Sequence, residues 1–272
     1  MLVQFSLLAC FASHFSQGIN HLVSKKSFDV SRFLAEKLYL CNVEWKIVHI
    51  DETDSTNRWI MNHDSDVVWA DFQTAGRGCG TNKWESERGK NLLFSVKIHP
   101  VDVPVQKQFH ISMAISLAIC EALGQQIGDL SIKWPNDIYW RNAKICGILI
   151  ENTLQGSRIK DSVIGVGINV NQQQFLSDAP NPVSLWQIHG QETSREQLLH
   201  DILNRFETLL SQDLRQQYLS MLYRRKGYHP YTDKDGAFMA EIVDVEDDGH
   251  LLLCDEGGRQ RRYAFKEVQF II

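Results

Sequence analysis

The sequence predicts an α+β fold, in which a mixed β-sheet with helices forms the main domain and a small β-barrel follows it. Between residues 45 and 224, strand-like runs and helical patterns follow one another without a regular repeat. From Gly236 onward the pattern changes to several short strands, separated by D-D-G and G-G turns. Since 272 residues can form one large domain and a small one, we expect an N-terminal extension over residues 1–44, a main domain over 45–228 and the β-barrel over 229–272.

The composition excludes several classes of protein. With 43% hydrophobic and 22% charged residues, the chain is neither disordered, collagen-like nor a coiled coil. The formal charge of −5 provides no basic field for general nucleic-acid binding. Six cysteines without C-x-x-C and ten histidines without H-x-x-x-H disfavour a zinc cluster and a disulfide framework. We therefore expect reduced thiols, a cytoplasmic location and, since no apolar run reaches about 20 residues, no membrane span.

The first residues resemble part of a secretion signal. Met1 to Ala12 has the length of its apolar region, but the first lysines are Lys25 and Lys26, so the basic region that should precede it is missing. We expect a dispensable extension or a start codon placed too far upstream, with secretion as the less favoured alternative.

The first half of the main domain is predicted to begin with a strand and a short helix that Asp54 or Ser55 caps. A long loop without periodicity then separates two further strands, and Gly124 ends the second helix. The predicted bounds are strand Trp45–Ile50, helix to Asn62, strand Val67–Phe72, loop 73–90, strand Asn91–Ile98 and helix Lys107–Leu123.

The second half is predicted to contain three strands and one long helix. The strands are Leu130–Trp134, Lys144–Glu151 and Val163–Val170. Thr193 and Glu196 have the spacing of a capping box, which predicts a helix from there to about Arg224.

The loop from Gln73 to Trp84 is rich in glycine. Alternating glycines let backbone N–H groups approach an anion, and Arg77 and Lys83 add charge that can neutralise phosphate. The pattern is neither G-x-x-x-x-G-K-[ST] nor G-x-G-x-x-G. Taken alone, the pattern favours a mobile surface turn over an anion-binding loop.

Three further motifs contain chemically useful residues. K-W-P-N-D at Lys133–Asp137 places a lysine, an amide and a carboxylate at a strand end, where a ligand could bind. The alternative is that the motif forms a turn with a solvated charge pair. Lys144 opens a strand in which Gly147 suggests close approach by a ligand or another backbone, although such a lysine usually faces solvent. Asn169 follows G-V-G on one strand face, where it contacts a ligand or is a satisfied core amide.

Together these motifs resemble one family, the biotin protein ligases (biotin–[acetyl-CoA carboxylase] ligases). The resemblance covers residues 45–272 and implies a class II synthetase-like mixed sheet followed by an Src-homology-3-like barrel. Its motifs, in chain order, are D-S-T-N at 54–57, Q-T-A-G-R-G at 73–78, K-W at 83–84, G-K-N-L at 89–92, K-W-P-N-D at 133–137, K-I-C-G-I-L-I-E at 144–151, G-V-G-I-N at 165–169 and P-V-S-L at 182–185.

The family resemblance implies a two-step reaction. Biotin and MgATP form biotinyl-5′-AMP, and the biotinyl group then passes to one lysine of a biotin carboxyl carrier protein. Biotin, ATP and Mg²⁺ are thus the expected small molecules, with no protein ligand implied for the metal. The carrier is the expected partner, with no nucleic acid and no membrane, and a homodimer is left open.

The resemblance also implies residue roles. Lys144, Arg77 and Lys133 are expected to be catalytic through charge neutralisation. The implied biotin-binding residues are Ser55, Thr56, Asn57, Gln73, Arg77, Gly78, Cys79, Lys144 and Gly147. The implied ATP- and adenylate-binding residues are Gly76, Arg77, Lys83, Trp84, Lys133, Asn136 and Asn169.

The chain departs from better-studied relatives at two places. Cys79 and Gly80 stand where those relatives carry arginines, so we expect the adenylate to escape faster than from a Cys79→Arg variant. Residues 1–44 are too short for the N-terminal helix-turn-helix domain of bifunctional relatives, which favours a monofunctional ligase. The alternatives are a lipoate–protein ligase, a biotin-responsive repressor and a non-catalytic nucleotide-binding module. K-W-P-N-D together with Q-T-A-G-R-G favours biotin over lipoate. A DNA-shift assay with and without biotin tests the repressor, and pyrophosphate release on adding biotin and ATP tests the non-catalytic module.

Overall fold

The structure is a computed structural model, which describes residues 44–80, 82–100, 103–176 and 180–272. Residues Glu44–Ile272 form one compact unit. The predictions for the N-terminal extension lie outside the described residues. Among the helices of the described part, none combines the length and apolar character that a membrane crossing requires.

The main sheet has seven strands in the order β1-β2-β3-β7-β6-β5-β4. Strands β1 and β2 are parallel, and every other neighbouring pair is antiparallel. The sheet is therefore mixed, as predicted. The strands are β1 Ile47–Thr53, β2 Val67–Gln73, β3 Leu92–Ile98, β4 Leu130–Lys133, β5 Asp137–Trp140, β6 Ala143–Gln155 and β7 Arg158–Ile168.

Strand β5 was not predicted. The turn at residues 134–136 reverses the chain, and Asp137 then pairs with Lys133 across a β-hairpin. The K-W-P-N-D motif is thus a hairpin turn that ends one strand and begins the next. This hairpin brings the side chains of Lys133 and Asp137 close to strand β6, which pairs with β5.

Within the described residues, five α-helices accompany the main sheet. The longest two, α2 and α4, pack against each other, and nearly all side chains of α2 are buried. Since α2 is apolar on all sides, it is a core helix. The helices are α1 Thr56–Met61, α2 Phe109–Leu123, α3 Leu185–His189, α4 Arg195–Leu210 and α5 Arg215–Ser220, with a 3₁₀ turn at Val105–Lys107.

Two helix predictions were wrong. The helix expected from Thr193 to about Arg224 is divided into α4 and α5, and its cap is Ser194, whose hydroxyl accepts a hydrogen bond from Gln197 N. The structure has its complete capping box earlier, between Ser184 and Gln187, where it opens the unpredicted helix α3.

The C-terminal segment forms a second, five-stranded antiparallel sheet in the order β11-β10-β9-β8-β12. The short C-terminal strands predicted from the sequence are thus confirmed. Closure of this sheet into a barrel is not, because β11 and β12 are the two edges and do not pair within the described residues. The strands are β8 His229–Asp233, β9 Gly236–Val245, β10 Leu251–Asp255, β11 Gln260–Tyr263 and β12 Gln269–Phe270.

The C-terminal sheet is attached to the β4–β5 hairpin turn. The buried indole of Trp134 donates a hydrogen bond from Nε1 to Gly249 O at 2.9 Å. Its ring also meets Phe265 edge-on, with the ring centroids 6.3 Å apart. Side chains of the second sheet, including Tyr231 and Leu253, belong to the same hydrophobic cluster as the main sheet. The hairpin turn and the C-terminal sheet are therefore packed as one structure.

Candidate functional site

The glycine-rich loop leaves β2 and folds back on itself. Gly78 N donates to Asn82 O at 2.7 Å, and Trp84 N donates to Gly76 O at 3.0 Å. A Cβ on Gly76 would lie 2.8 Å from Trp84 O, so only glycine allows this approach. The two bonds place Arg77 opposite Lys83 as a backbone bridge. This local hairpin was not predicted from the sequence.

The indole of Trp84 lies over two glycines of the main sheet. Gly147 on β6 pairs directly with Gly167 on β7. A Cβ on either residue would lie 2.9 Å or less from a ring atom of Trp84. The close approach predicted at Gly147 therefore comes from a side chain. Trp84 Nε1 is buried and has no hydrogen-bond partner among the described residues.

A cluster of buried polar side chains connects helix α1 to strands β2 and β3. Thr56 N donates to Gln73 Oε1 at 2.8 Å. Ser95 Oγ donates to Asn57 Oδ1 at 2.6 Å, and it lies 2.8 Å from Thr56 Oγ1. Ser55, Thr56 and Asn57 are each 3% exposed. The structure thus brings together four predicted biotin-binding residues, and adds Ser95, which sequence reasoning missed.

Glu151 joins this polar cluster to the glycine-rich loop. Arg77 Nη2 donates to both of its carboxylate oxygens, at 2.7 and 3.0 Å. Asn57 Nδ2 donates to the same carboxylate at 2.7 Å. Glu151 was not among the predicted site residues, although it is the last residue of the K-I-C-G-I-L-I-E motif. Its three hydrogen bonds hold Arg77 and Asn57 together through a charge-assisted network.

Lys144 forms an ion pair with Asp137. Nζ lies 2.6 Å from Asp137 Oδ1, and the two side chains are 28% and 19% exposed. The ammonium also lies 5.7 Å from the ring centre of Trp84. The alternative of a solvent-facing lysine therefore does not hold for Lys144, which lies between a carboxylate and an indole.

Lys133 is the third predicted cation. Burial lowers its pKa, since desolvation disfavours the charged form, while Asp137 acts in the opposite direction. Its ammonium faces the rings of Tyr139 and Phe270, at 5.5 and 4.9 Å from their centres. A cation against aromatic faces retains part of its stabilisation without a carboxylate partner.

Two predicted amides hold backbone groups. Asn136 Nδ2 donates to Ile148 O at 2.5 Å. Asn169 Nδ2 donates to Val183 O at 3.2 Å, and the residue is 3% exposed. Asn169 is therefore a satisfied core amide, one of the two alternatives that the sequence left open. Both residues nonetheless hold the strands on which Lys144 and Gly147 lie.

Cys79 lies on the outer part of the loop, among charged groups. Burial raises the pKa of its thiol above the usual 9.0. Lys266 lowers it, Asp137 raises it and Lys144 lowers it, in decreasing order of effect. Cys79 is therefore close to the Lys144–Asp137 pair, and also to a lysine of the C-terminal segment.

These groups can bind an anion next to a neutral polar molecule. Lys144 lies beside the paired glycines that Trp84 covers. Arg77 lies on the loop that carries Trp84, and Lys133 is acted on by the same Asp137 that pairs with Lys144. Buried hydroxyl and amide groups lie on the α1 side, joined to this loop by Glu151. Such an arrangement neutralises charge by position and offers no obvious nucleophile.

The comparisons with known proteins agree with one another. Residues 50–169 match the model of the Biotin/lipoate A/B protein ligase family. Among curated proteins, the bifunctional ligase/repressor BirA of Bacillus spizizenii is 29% identical over 231 residues, 79% of this chain and 70% of that protein. The biotin–[acetyl-CoA-carboxylase] ligase of Mycobacterium tuberculosis is 29% identical over 250 residues, 84% of this chain and 90% of that protein.

The architecture leads to the same group of proteins. The biotin protein ligase from Aquifex aeolicus, solved in complex with biotin and ATP, superimposes with a TM-score of 0.70 at 24% identity, covering 83% of this chain and 99% of that one. This likeness concerns the fold. By sequence, the chain is similar to biotin protein ligases and, over residues 50–169, to the wider Biotin/lipoate A/B protein ligase family.

Proposed function

We propose that this protein is a biotin–protein ligase, which forms biotinyl-5′-AMP from biotin and MgATP and then transfers the biotinyl group to a carrier lysine. A curated relative is named as a biotin–[acetyl-CoA-carboxylase] ligase, and a structural neighbour binds biotin and ATP. The observation that supports it best is the position of the Lys144–Asp137 pair, directly beside Trp84 and the paired glycines.

The polar cluster on α1 suits the ring end of biotin. A ureido group offers two N–H donors and one carbonyl acceptor, and the side chains of Ser55, Thr56 and Asn57 provide both kinds of partner. Gln73 fixes Thr56 through its carbonyl oxygen. We assign these four residues to biotin, with Gly78 and Cys79 closing over it.

In the first step, a carboxylate oxygen of biotin attacks the α-phosphorus of ATP. One P–O bond forms, the bond to the β-phosphate breaks, and pyrophosphate leaves. Lys144 is positioned to neutralise the carboxylate and the α-phosphate oxygens as negative charge builds, and Arg77 and Lys133 share this task. No side chain needs to act as a nucleophile.

Magnesium enters as part of the MgATP substrate. Both carboxylates at the site are engaged, Asp137 by Lys144 and Glu151 by Arg77. We therefore assign the ion no protein ligand. The adenine side is assigned to Trp84, with Gly76 and Lys83 of the loop next to the phosphates and Asn136 and Asn169 supporting the strands.

In the second step, the lysine amine of a carrier domain attacks the acyl carbon of the mixed anhydride. The new amide bond forms, the acyl–phosphate bond breaks, AMP leaves, and the amine loses a proton. The proposed partner is the biotin carboxyl carrier domain of a carboxylase, and the cytoplasm, where ATP and carboxylases occur, is the proposed location. We further propose that residues 45–228 are the catalytic domain and that 229–272 are the barrel-like unit of the family.

The test is a mass measurement. The protein is incubated with biotin, MgATP and a carrier domain, and the carrier is weighed intact. We expect the mass of one biotinyl group to be added to one lysine, and no addition to a carrier with that lysine replaced by arginine. Transfer from lipoate with none from biotin would overturn the proposal in favour of a lipoate ligase.

A further inference from the structure

One charged side chain at the site comes from the C-terminal segment. Lys266 lies between β11 and β12, and its ammonium reaches the glycine-rich loop. A Cβ added to Gly80 would collide with Lys266 Nζ and would lie 3.4 Å from Cε. Gly80 also has a φ of +71°, a conformation that favours glycine, so both the backbone and the space beside it disfavour a side chain here.

The turn that carries Lys266 is held in place. Ala264 N donates to Glu267 Oε2 at 2.8 Å, and Glu267 N donates back to Ala264 O at 3.2 Å. Phe265, the residue before the lysine, packs against Trp134 of the β4–β5 hairpin turn. The C-terminal sheet thus presents Lys266 from a turn anchored to the same hairpin that carries Lys133 and Asp137.

Among the residues that the structure describes, some of the positively charged side chains around the glycine-rich loop are already paired with a carboxylate, and Lys266 is not. Arg77 is engaged by Glu151, and Lys144 by Asp137. Lys266 has no carboxylate within ion-pair distance in the part of the chain that the structure describes. It is exposed, next to Cys79 and Gly80, where the loop itself has no cation. An anion bound there would meet an available positive charge from the C-terminal segment.

We propose that Lys266 completes the phosphate-binding face of the site by contacting the nucleotide phosphate from across the glycine-rich loop. This rests on the proposed ligase function and adds a residue outside the recognised motifs. Lys266 provides a positive charge beside Cys79 and Gly80, two loop residues that have no charged side chain. Its ligand is the phosphate of ATP and then that of the acyl-adenylate.

The experiment compares four substitutions with the wild-type protein. Lys266→Gln and Lys266→Met remove the charge, Lys266→Arg keeps it, and Lys160→Gln removes an exposed lysine near the start of β7. Two quantities are measured: the affinity for ATP alone by calorimetry, and the rate at which preformed biotinyl-AMP leaves the protein. A lost charge-assisted hydrogen bond corresponds to about a tenfold to hundredfold change.

We expect Lys266→Gln and Lys266→Met to weaken ATP binding and speed adenylate escape at least about tenfold, while Lys266→Arg and Lys160→Gln stay near the wild type. Wild-type ATP affinity in Lys266→Met would overturn the proposal. An apolar side chain of similar length can preserve a packing role, but it cannot replace a positive charge. Unchanged ATP affinity in all four variants would overturn it as well. A wild-type protein that binds ATP but makes no biotinyl-AMP would instead contradict the ligase function, and the ATP titrations would still decide the role of Lys266.

Discussion

Asp137 Oδ1 lies 2.6 Å from Lys144 Nζ, although the two residues come from separate sequence motifs on adjacent strands. The pair holds the ammonium beside Trp84 and restricts its rotamers. An ammonium held in place costs no reorganisation when charge develops on a substrate. Asp137 therefore acts as a positioning residue for Lys144 in the proposed reaction.

The first prediction concerns Lys144. Lys144→Ala removes a positioned donor from the carboxylate and α-phosphate oxygens, which typically slows a reaction by about 10²- to 10³-fold. Biotin-dependent pyrophosphate release measures this loss, with Lys160→Ala as the matched control. A rate for Lys144→Ala within a few-fold of the wild type would show that the role is wrongly assigned.

A second prediction concerns Gly165 on β7. A Cβ at this position would lie 2.9 Å from Asn57 Cγ, so Gly165→Ala must displace the amide and weaken its bonds to Ser95 and Glu151. We expect the KM for biotin to rise about tenfold, because the displaced Asn57 amide loses its proposed hydrogen bond to the neutral ureido group, and the unfolding free energy to fall by about 1–3 kcal/mol through overpacking.

The matched control for Gly165 is Gly128. A Cβ at Gly128 meets no atom within 4 Å, so Gly128→Ala should leave both the KM for biotin and the stability unchanged. Steady-state kinetics and urea unfolding measure the two effects. Normal biotin kinetics in Gly165→Ala would mean that the Asn57 amide does not contact biotin.

The third prediction concerns residues 1–42. All family motifs lie within the compact unit Glu44–Ile272. We expect a chain that begins at Val43 to fold and to form biotinyl-AMP at the rate of the full chain. Circular dichroism checks the folding, and pyrophosphate release checks the activity. A soluble, folded but inactive truncation would show that the first residues contribute to the site.

The sequence predicted much of the fold because its signals are local. The glycine-rich loop, the long apolar helix ended by Gly124 and the strand that Lys144 opens all appear near their expected positions. Local signals did not show strand β5. Strand β4 does end before Pro135, as expected, but the chain also turns there and pairs Asp137 with Lys133.

The partners within the site could not be predicted in the same way. Glu151 meets Arg77 across 74 positions and Asn57 across 94, and no spacing rule connects such distant residues. Lys266 reaches Gly80 only because a second sheet packs on the β4–β5 hairpin turn. Helix α3 was missed because five residues are too few for a helical period, although its capping pair at Ser184 and Gln187 was a readable signal.

The last prediction concerns the reactivity of Cys79. Burial raises the pKa of its thiol above 9.0, so at pH 7 to 8 the reactive thiolate is scarcer than for an ordinary cysteine. Alkylation by iodoacetamide should therefore be slow at pH 7 and should accelerate through pH 9 and beyond. The modified peptide is quantified by mass spectrometry, and Cys254, which is also half-buried, provides the internal control.

Ligands should change this rate in one direction. If the loop closes over biotinyl-AMP, addition of biotin with MgATP should protect Cys79 about tenfold or more, while Cys254 on the second sheet reacts as before. The Cys79→Arg variant should also release the adenylate more slowly, because a charge-assisted hydrogen bond contributes about 1.5–3 kcal/mol. Equal labelling of Cys79 with and without ligands would refute loop closure, and equal release from the two proteins would show that a further cation at this position adds nothing to what Lys266 already supplies.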